Sequence, residues 1–375
     1  MDKSVHKVSI TGYGSAGDGI ARLDDGRVVF IRGAARGDVC IVTIVNEYRQ
    51  SCRAEIVEII QPAEHRIEPD CLVYTQCGGC DFRHITYEEE LWAKQRRVDD
   101  ALVRIGGLSV CIEEIKPCSR IDGYRNKAVF HTARKGNETV IGFYRSGTHE
   151  VCPVTRCLLL CDELNCELGN LWGAPPPAGK EITLRIGRDG IKTPIEMEFD
   201  GLVFRISGKS FFQVNNEAAL LLFQKAREYA ALSGSETLVD LYCGVGSLTL
   251  FIGRDAGSAV GVENNPSAVN DARENARRNG FTNISFICAD AADWEMGNIH
   301  TDCVIVDPPR RGLSASALRK INGMSPSRIV YISCDPATLA RDIKLLSGYK
   351  AERVCVVDMF PRTANVECCV LLNHR

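Results

Sequence analysis

The stretch that decides the fold is D-L-Y-C-G-V-G-S at residues 240–247, which follows an apolar, strand-like run from residue 237. Gly244 and Gly246 let the backbone approach a ligand closely where side chains would block it. From about residue 210 onward, apolar strands alternate with helical segments, and this alternation predicts a parallel, doubly wound, Rossmann-like α/β sheet. The last two predicted strands have no helix between them, which predicts an antiparallel edge of that sheet.

Acidic residues follow successive predicted strands of this sheet. Glu263 ends the second strand, where a carboxylate can accept hydrogen bonds from both ribose hydroxyls, and Asp290 follows the third, where it could contact an adenine edge. Asp307, in an Asp-Pro-Pro sequence, follows the fourth strand. Open α/β sheets bind ligands at these carboxyl ends. Two features argue against a dinucleotide-binding protein: Thr249 stands where such a site would have a third small residue, and the Asp-Pro-Pro sequence has no role there. The combination of glycine loop, Glu263 and Asp-Pro-Pro looks like an S-adenosylmethionine methyltransferase.

Cys334 is the candidate nucleophile, because it ends an apolar strand just before a predicted helix. Asp335 suits the N-cap and Pro336 the first helical position. The positive end of the helix dipole favours a thiolate there, although Asp335 partly opposes it. A thiolate that adds to C6 of a pyrimidine activates C5 for attack on a methyl group, and Glu367 is the candidate base for the C5 proton. The alternatives are a small buried strand-end cysteine and a solvated strand-end carboxylate.

These motifs together resemble the RNA 5-methyluridine methyltransferases, which include the bacterial enzymes that methylate uridines in 23S ribosomal RNA. The resemblance covers the whole chain and implies an S-adenosylmethionine-dependent RNA uracil-C5 methyltransferase with Cys334 as nucleophile and Glu367 as base. One departure is Asn365, which stands where the family commonly has histidine. The resemblance implies that six residues contact the cofactor: Gln213, Tyr242, Ser247, Glu263, Asp290 and Asp307.

The N-terminal segment reads as short strands separated by Gly and Asp turns, which predicts a small closed β-barrel. The sequences G-Y-G at 12–14 and G-D-G at 17–19 resemble the TRAM module that precedes the catalytic domain in many members of the family. A helix over 88–105 is expected to pack on the catalytic domain. We predict a TRAM-like (OB-like) barrel at 1–62, a central strand-rich iron–sulfur and RNA-contacting domain at 63–209, and the methyltransferase domain at 210–375.

The chain contains 18 cysteines, and its opening residues show no secretory signal. We therefore expect the protein in the reducing cytoplasm, where clustered cysteines usually indicate metal binding or catalysis. Cys71, Cys77 and Cys80 form Cys-x5-Cys-x2-Cys, a spacing that leaves zinc and iron–sulfur open. The family resemblance implies a [4Fe–4S] cluster with Cys157 as the distant fourth ligand. Three further cysteines lie nearby: Cys152, Cys161 and Cys166. Because four thiolates leave no open coordination position, we expect the cluster to be structural or to help hold RNA.

The formal net charge of −3 requires that RNA, if it is the partner, bind local basic surfaces. Residues 123–147 carry five Lys and Arg residues and one acidic residue, Glu138, with aromatic residues between them. This pattern suits the binding of single-stranded RNA. It suits equally well ordinary strands with a core-facing aromatic row and a solvated basic face. Arg310 and Arg311 could also hold phosphate. The expected substrate is a uridine in an accessible loop. The barrel and the cysteine cluster favour 23S ribosomal RNA, and transfer RNA stays open because the family's enzymes for both share the catalytic motifs. No apolar run reaches membrane length, and we expect a monomer with no obligate protein partner.

Two other functions stay open from the sequence. One is a base-amine N-methyltransferase with a structural Cys334, although Arg310 stands where many such enzymes have an aromatic residue after the two prolines. The other is a nonenzymatic iron–sulfur RNA-binding protein with a degenerate methyltransferase domain. The presence of Cys334, Glu367 and the glycine loop argues against the latter.

Overall fold

The computed structural model describes residues 5–191, 194–207, 210–294 and 300–375. Its first unit is a six-stranded sheet with the order β1-β5-β6-β4-β3-β2. Only Ile10 and Thr11 separate β1 from β2, which stand at opposite ends of that order, so the sheet curls until its two ends meet. This geometry agrees with the predicted barrel. The strands are β1 Val5–Ser9, β2 Gly12–Tyr13, β3 Gly19–Arg22, β4 Val28–Ile31, β5 Val39–Glu47 and β6 Ser51–Gln61.

A helix, a strand that joins the large sheet described below, and a small antiparallel sheet follow the barrel. The small sheet has the order β10-β9-β8-β11 and packs its apolar face against helix α2. A hairpin of two strands, β12 and β13, packs against the catalytic unit described next. These elements are α1 Tyr87–Arg104, β7 Ile112–Lys116, β8 Lys127–Lys135, β9 Glu138–Tyr144, β10 Val151–Pro153, α2 Asp162–Gly173, β11 Glu181–Arg185, β12 Ile195–Phe199 and β13 Leu202–Ile206.

The catalytic unit is an eight-stranded sheet with the order β16-β15-β14-β17-β18-β20-β19-β7. Adjacent residues of one strand face opposite sides, so that Leu238 lies in the core on one face and Val239 in the core on the other. Helices α3, α4 and α5 cover the first face, and α1, α6 and α7 cover the second, which confirms the doubly wound α/β fold. The remaining elements are α3 Asn216–Ala230, β14 Thr237–Leu241, α4 Ser247–Gly253, β15 Ser258–Glu263, α5 Pro266–Arg278, β16 Ile284–Cys288, β17 Cys303–Val306, α6 Ala315–Met324, β18 Arg328–Ser333, α7 Pro336–Leu345, β19 Tyr349–Val357 and β20 Glu367–His374.

The predicted antiparallel pair exists, but it does not form the edge of the sheet. Strand β20 runs antiparallel to both β18 and β19, whereas β7 pairs parallel to β19 and takes the edge position. The sequence I-E-E-I-K of β7 is short and charged, as edge strands often are, and it lies more than 200 residues before its partner. A short charged strand has little alternation of apolar and polar residues, and a distant partner leaves no trace in the local sequence. The periodicity of the sequence therefore could not predict β7.

Helix α1 and strand β7 also bear on the domain division. Both lie inside the predicted central domain at 63–209, yet Val98 and Leu102 of α1 are fully buried in the core of the catalytic sheet. The predicted packing of this helix on the catalytic unit therefore agrees with the structure. The division itself stays a prediction, and residue 209 lies outside the described residues. Among the described residues, none of the helices has the length and apolar character to cross a membrane.

Candidate active site

The glycine loop after β14 has the backbone that close ligand approach requires. Gly246 adopts a φ of 79°, and a Cβ atom there would lie 2.7 Å from the ring of Phe286, so only glycine fits. Tyr242 adopts a φ of 69°, a left-handed conformation that costs a non-glycine residue about 1 kcal/mol or more. Strained backbone of this kind marks a loop whose shape is fixed by its surroundings.

A narrow cavity opens beside this loop at the carboxyl edge of the sheet. Its wall contains four of the six predicted cofactor residues: Gln213, Tyr242, Ser247 and Asp307. For that reason we call it the cofactor cavity. Glu263 does not line it but accepts a hydrogen bond of 3.2 Å from the Gly244 nitrogen. Asp290 is exposed beyond β16. Burial raises the pKa of Tyr242 to about 12, and the charge of Asp290 adds to the rise.

The cavity also contains a carboxylate that sequence reasoning missed, that of Asp240. Thr249 donates a hydrogen bond of 2.5 Å to Asp240 Oδ2, while Oδ1 is buried and has no hydrogen-bond partner among the described residues. Burial raises the pKa of Asp240 to about 7 and that of Asp307 to about 7. Such carboxyls gain from a cationic ligand with N–H donors, and the sulfonium and ammonium groups of S-adenosylmethionine meet that requirement. The signal in the sequence was an acidic residue opening the glycine loop.

The candidate nucleophile and base meet at the end of a strand pair. Ser333 of β18 pairs with Cys368 of β20, so the next residue, Cys334, and the preceding one, Glu367, face each other across the end of the ladder. Asp335 caps α7 by accepting a hydrogen bond of 2.9 Å from the Thr338 nitrogen, as the sequence indicated. Glu367 is only 8% exposed, so the alternative of a solvated strand-end carboxylate is wrong.

The electrostatics around Cys334 differ from the sequence-based expectation. Burial raises the pKa of the Cys334 thiol to about 11, and the charges of Glu367 and Asp307 add to the rise. The helix N-terminus therefore does not hold a thiolate in the ligand-free protein, because desolvation and two carboxyls outweigh it. Burial and Asp307 also raise the pKa of Glu367 well above its usual range.

Arg310 is the cation that opposes these shifts. It lowers the pKa of both Cys334 and Glu367, and its Nη2 donates a hydrogen bond of 2.9 Å to Asn365 Oδ1. Asn365, which departs from the family's usual histidine, thus orients the arginine that faces both reactive groups. The sequence suggested Arg310 as a phosphate contact and as a departure from the base-amine methyltransferases, but not as a partner of Cys334 and Glu367.

A cleft of about 1020 Å³ leads to Cys334 from the surface, between the barrel and helix α1. Four arginines and three aspartates line it, together with aromatic residues of which Trp92 is 39% exposed. The arginines are Arg96, Arg97, Arg104 and Arg310. Arg97 donates a hydrogen bond of 2.7 Å to the Ala364 carbonyl, which fixes its guanidinium near the loop that precedes Glu367.

The predicted basic and aromatic patch at 123–147 is less suited to stacking on bases. Phe130 is fully buried, Tyr124 is nearly so, and Tyr144 stacks on His131 with ring centroids 3.8 Å apart. The alternative of ordinary strands with a core-facing aromatic row fits these contacts better. An aromatic residue that the sequence analysis did not single out, Phe211, is 67% exposed beside the cofactor cavity.

The four predicted ligand cysteines line one cavity of about 300 Å³: Cys71, Cys77, Cys80 and Cys157. We call it the thiol cavity. Arg83 and Arg125 also line it, whereas the neighbouring Cys152, Cys161 and Cys166 do not. In the described part of the chain, no group of three or more His, Cys, Asp or Glu side chains is arranged to hold a metal ion. The thiols thus share a cavity without forming a compact set of ligands for one ion.

The fold and these sites define an S-adenosylmethionine-dependent RNA methyltransferase. The chain belongs to the tRNA (uracil-5-)-methyltransferase family, whose model matches residues 177–375, and residues 2–57 match the TRAM domain. The resemblance inferred from the sequence is therefore confirmed, and family membership favours uracil C5 over a base amine.

Similar proteins span the whole chain. An RNA methyltransferase of Bacillus cereus is 33% identical, with 96% of this chain and 94% of the relative covered. An RNA methyltransferase of Caldanaerobacter subterraneus is 33% identical, with 98% of each covered. The crystal structure of the Pyrococcus abyssi tRNA (uracil-54, C5)-methyltransferase in complex with S-adenosyl-L-homocysteine has the same fold, with a TM-score of 0.77 at 24% identity over 98% of this chain and 100% of that one.

Proposed function

We propose that this enzyme transfers a methyl group to C5 of a specific uridine in RNA through a covalent adduct between Cys334 and C6. The observation that carries the proposal is the juxtaposition of Cys334 and the buried Glu367 at the end of one strand pair. Cys334 lies in the wall of a cleft that four arginines line.

The chemistry divides between the two residues. Cys334 reacts as its thiolate once the thiol proton has passed to solvent. The sulfur bonds to C6, and the electron pair of the C5–C6 double bond moves toward the C4 carbonyl to give an enolate. S-Adenosylmethionine, when bound, supplies the methyl group as the electrophile that C5 attacks, and its methyl–sulfur bond breaks to leave S-adenosylhomocysteine. Glu367 then removes the C5 proton, the double bond forms again, and the sulfur–C6 bond breaks to release the cysteine.

The proposed cofactor site consists of the residues around the narrow cavity. Gln213, Tyr242, Ser247 and Asp307 would form its wall, with Glu263 and Asp290 at the ends of neighbouring strands. The unpaired Oδ1 of Asp240 supports a ligand that brings positive charge and donors into this cavity. Phe211, exposed at the rim, is suited to stacking on the extruded uracil.

The proposed substrate is a loop uridine of 23S ribosomal RNA, with the phosphates held by the cleft arginines and the TRAM barrel forming the opposite wall. Transfer RNA is the second candidate, because the family name and the Pyrococcus abyssi enzyme both refer to it. To test the assignment, total RNA from a strain lacking this gene would be treated with the enzyme and mapped by mass spectrometry. New 5-methyluridine in a 23S loop supports the proposal, and 5-methyluridine in transfer RNA alone contradicts it.

A [4Fe–4S] cluster is the proposed occupant of the thiol cavity. The four cysteines of the predicted ligand set share this one cavity, and Arg83 and Arg125 beside them suit an anionic group. The absence of a compact single-ion site among the described residues does not conflict with this, because each thiolate of such a cluster binds a different iron. We expect its role to be structural.

Cys80→Ser is expected to lose the iron. Protein prepared without oxygen should be brown and contain on the order of four irons per chain, whereas the variant should contain about one or fewer. The check is colorimetric iron analysis with the absorption spectrum. Cys166→Ser, at an exposed cysteine that does not line the thiol cavity, is the matched control and should keep its iron. Zinc in place of iron in anaerobic protein would contradict the cluster.

Cys334 should react slowly with iodoacetamide in the ligand-free enzyme. At pH 8 a thiol with a pKa of about 11 holds roughly one hundredth of the thiolate of a thiol at the ordinary value of 9.0, so alkylation should accelerate as the pH rises toward 11. Arg310→Ala should slow the reaction further, because Arg310 lowers this pKa. Peptide mass spectrometry gives the rate at Cys334, with the exposed Cys111 as internal control. Alkylation of Cys334 that is fast and independent of pH above 7 would contradict the account.

A further inference from the structure

The thiol cavity and the cofactor cavity are both lined by one short segment of chain, residues 211–214. Val214 lines the thiol cavity, and its neighbour Gln213 lines the cofactor cavity. Adjacent residues therefore belong to the walls of two different sites. A single peptide unit separates the two walls along the chain.

Asn126 holds this segment in place from the side of the thiol cavity. Its Nδ2 donates to the Gln213 carbonyl at 3.2 Å, and its backbone nitrogen donates to the Val214 carbonyl at 2.9 Å. Asn126 stands between Arg125 and Lys127, which both line the thiol cavity. Its position is thus fixed by the wall that the four cysteines share.

A second residue of the same small sheet supports the segment. Arg185 of β11, 7% exposed, donates from Nη2 to the Phe212 carbonyl at 2.9 Å, and its Nη1 has no hydrogen-bond partner among the described residues. The carbonyls of three consecutive residues, 212–214, therefore accept hydrogen bonds from residues 126 and 185.

The loop that precedes the candidate base is held by residues that follow Cys80 directly in the chain. The backbone nitrogens of Asp81 and Phe82, next to Cys80, donate to the Arg362 carbonyl at 2.9 and 3.2 Å, and the Ala364 nitrogen donates to the Asp81 carboxylate at 2.9 Å. Arg362 adopts a φ of 68°, so these bonds hold a strained turn five residues before Glu367.

We propose that occupancy of the thiol cavity sets the affinity of the cofactor cavity, with Asn126 as the positioning residue that couples them. The proposal rests on the proposed function for the identity of the two ligands. An occupant bound to the four thiols fixes the wall on either side of Asn126 and thereby the carbonyls of Gln213 and Val214. Because coupling between two binding equilibria is reciprocal, a bound cofactor analogue also strengthens retention of the occupant.

The test measures binding of S-adenosylhomocysteine, which cannot react, by calorimetry. Wild type, Asn126→Ala and Asn170→Ala are each titrated after anaerobic reconstitution with iron and sulfide, and again after chelation. Asn170 is an exposed asparagine of α2 and serves as the matched control. Removing iron is expected to weaken binding about tenfold in wild type and Asn170→Ala. Asn126→Ala should bind about tenfold more weakly with iron present and respond little to its removal.

Two further measurements separate positioning from a general loss of structure. In iron-loaded Asn126→Ala, KM for S-adenosylmethionine should rise about tenfold while kcat stays within about threefold, and hydrogen exchange should accelerate in peptides covering 211–216 but not in those covering 71–82. An unchanged Kd in Asn126→Ala, an equal response to iron removal in both proteins, or unchanged exchange at 211–216 overturns the coupling. Wild type that takes up no iron overturns the cluster and the coupling together. Wild type that binds the analogue but methylates no RNA counts against the proposed function alone.

Discussion

Cys334→Ala is expected to abolish methyl transfer to RNA, with a loss of at least about 10⁴-fold in kcat. The reason is chemical: C5 of uracil is too weak a nucleophile to take the methyl group unless a thiolate first adds to C6. Among the residues that the structure describes, no other cysteine lines the cleft in which Cys334 lies. The rate is measured as incorporation of labelled methyl groups into a substrate RNA.

The control measurements locate the loss at the chemical step. Cys334 does not line the cofactor cavity, so binding of S-adenosylhomocysteine should change by less than about threefold. Cys111→Ala, at an exposed cysteine before β7, should keep full activity. Methyl transfer by Cys334→Ala at more than a few per cent of the wild-type rate would favour the base-amine alternative.

Glu367→Gln is expected to stop the reaction one step later, with the protein still bonded to RNA. The variant keeps Cys334, so the adduct forms and C5 is methylated, but the C5 proton stays in place and the cysteine cannot leave. Turnover should fall by about 10²- to 10⁴-fold while a methylated protein–RNA species accumulates on denaturing gels. Because the pKa of Glu367 lies well above its usual range, the neutral amide resembles the protonated residue and should not disturb folding.

The matched control for this variant is Glu352→Gln. Glu352 is an exposed carboxylate of β19, the strand next to β20, and it lies away from the cleft lining. The Glu352→Gln enzyme should turn over at the wild-type rate and accumulate no protein–RNA adduct. Normal turnover by Glu367→Gln, or its failure without any adduct, would assign the base to another residue.

The sequence predicted those features that local patterns encode. The glycine loop at 240–247, the strand-end position of Asp307 and the cap of α7 after Cys334 each depend on a few neighbouring residues, and the structure places them as expected. The spacing of Cys71, Cys77 and Cys80 likewise indicated a common site, and the family resemblance added Cys157. The four thiols line one cavity. Their proposed roles follow from this placement.

Features that depend on contacts between distant segments were not predictable. The register that sets Cys334 opposite Glu367, and the pairing of β7 with β19, join residues far apart in the chain. The direction of the thiol's pKa shift was also missed, since helix capping is visible in the sequence but burial and a facing carboxyl are not. The same holds for the hydrogen bond between Arg310 and Asn365.

The central claim, a covalent Cys334–C6 intermediate, is tested most directly with a substrate RNA that carries 5-fluorouridine at the mapped position. Fluorine at C5 cannot be removed as a proton, so the reaction should stop at a stable species whose intact mass equals protein plus RNA plus one methyl group. Peptide mapping should place the bond at Cys334, and Cys334→Ala should form no such species. Absence of any adduct, on an RNA whose unmodified counterpart the enzyme methylates, would contradict the account.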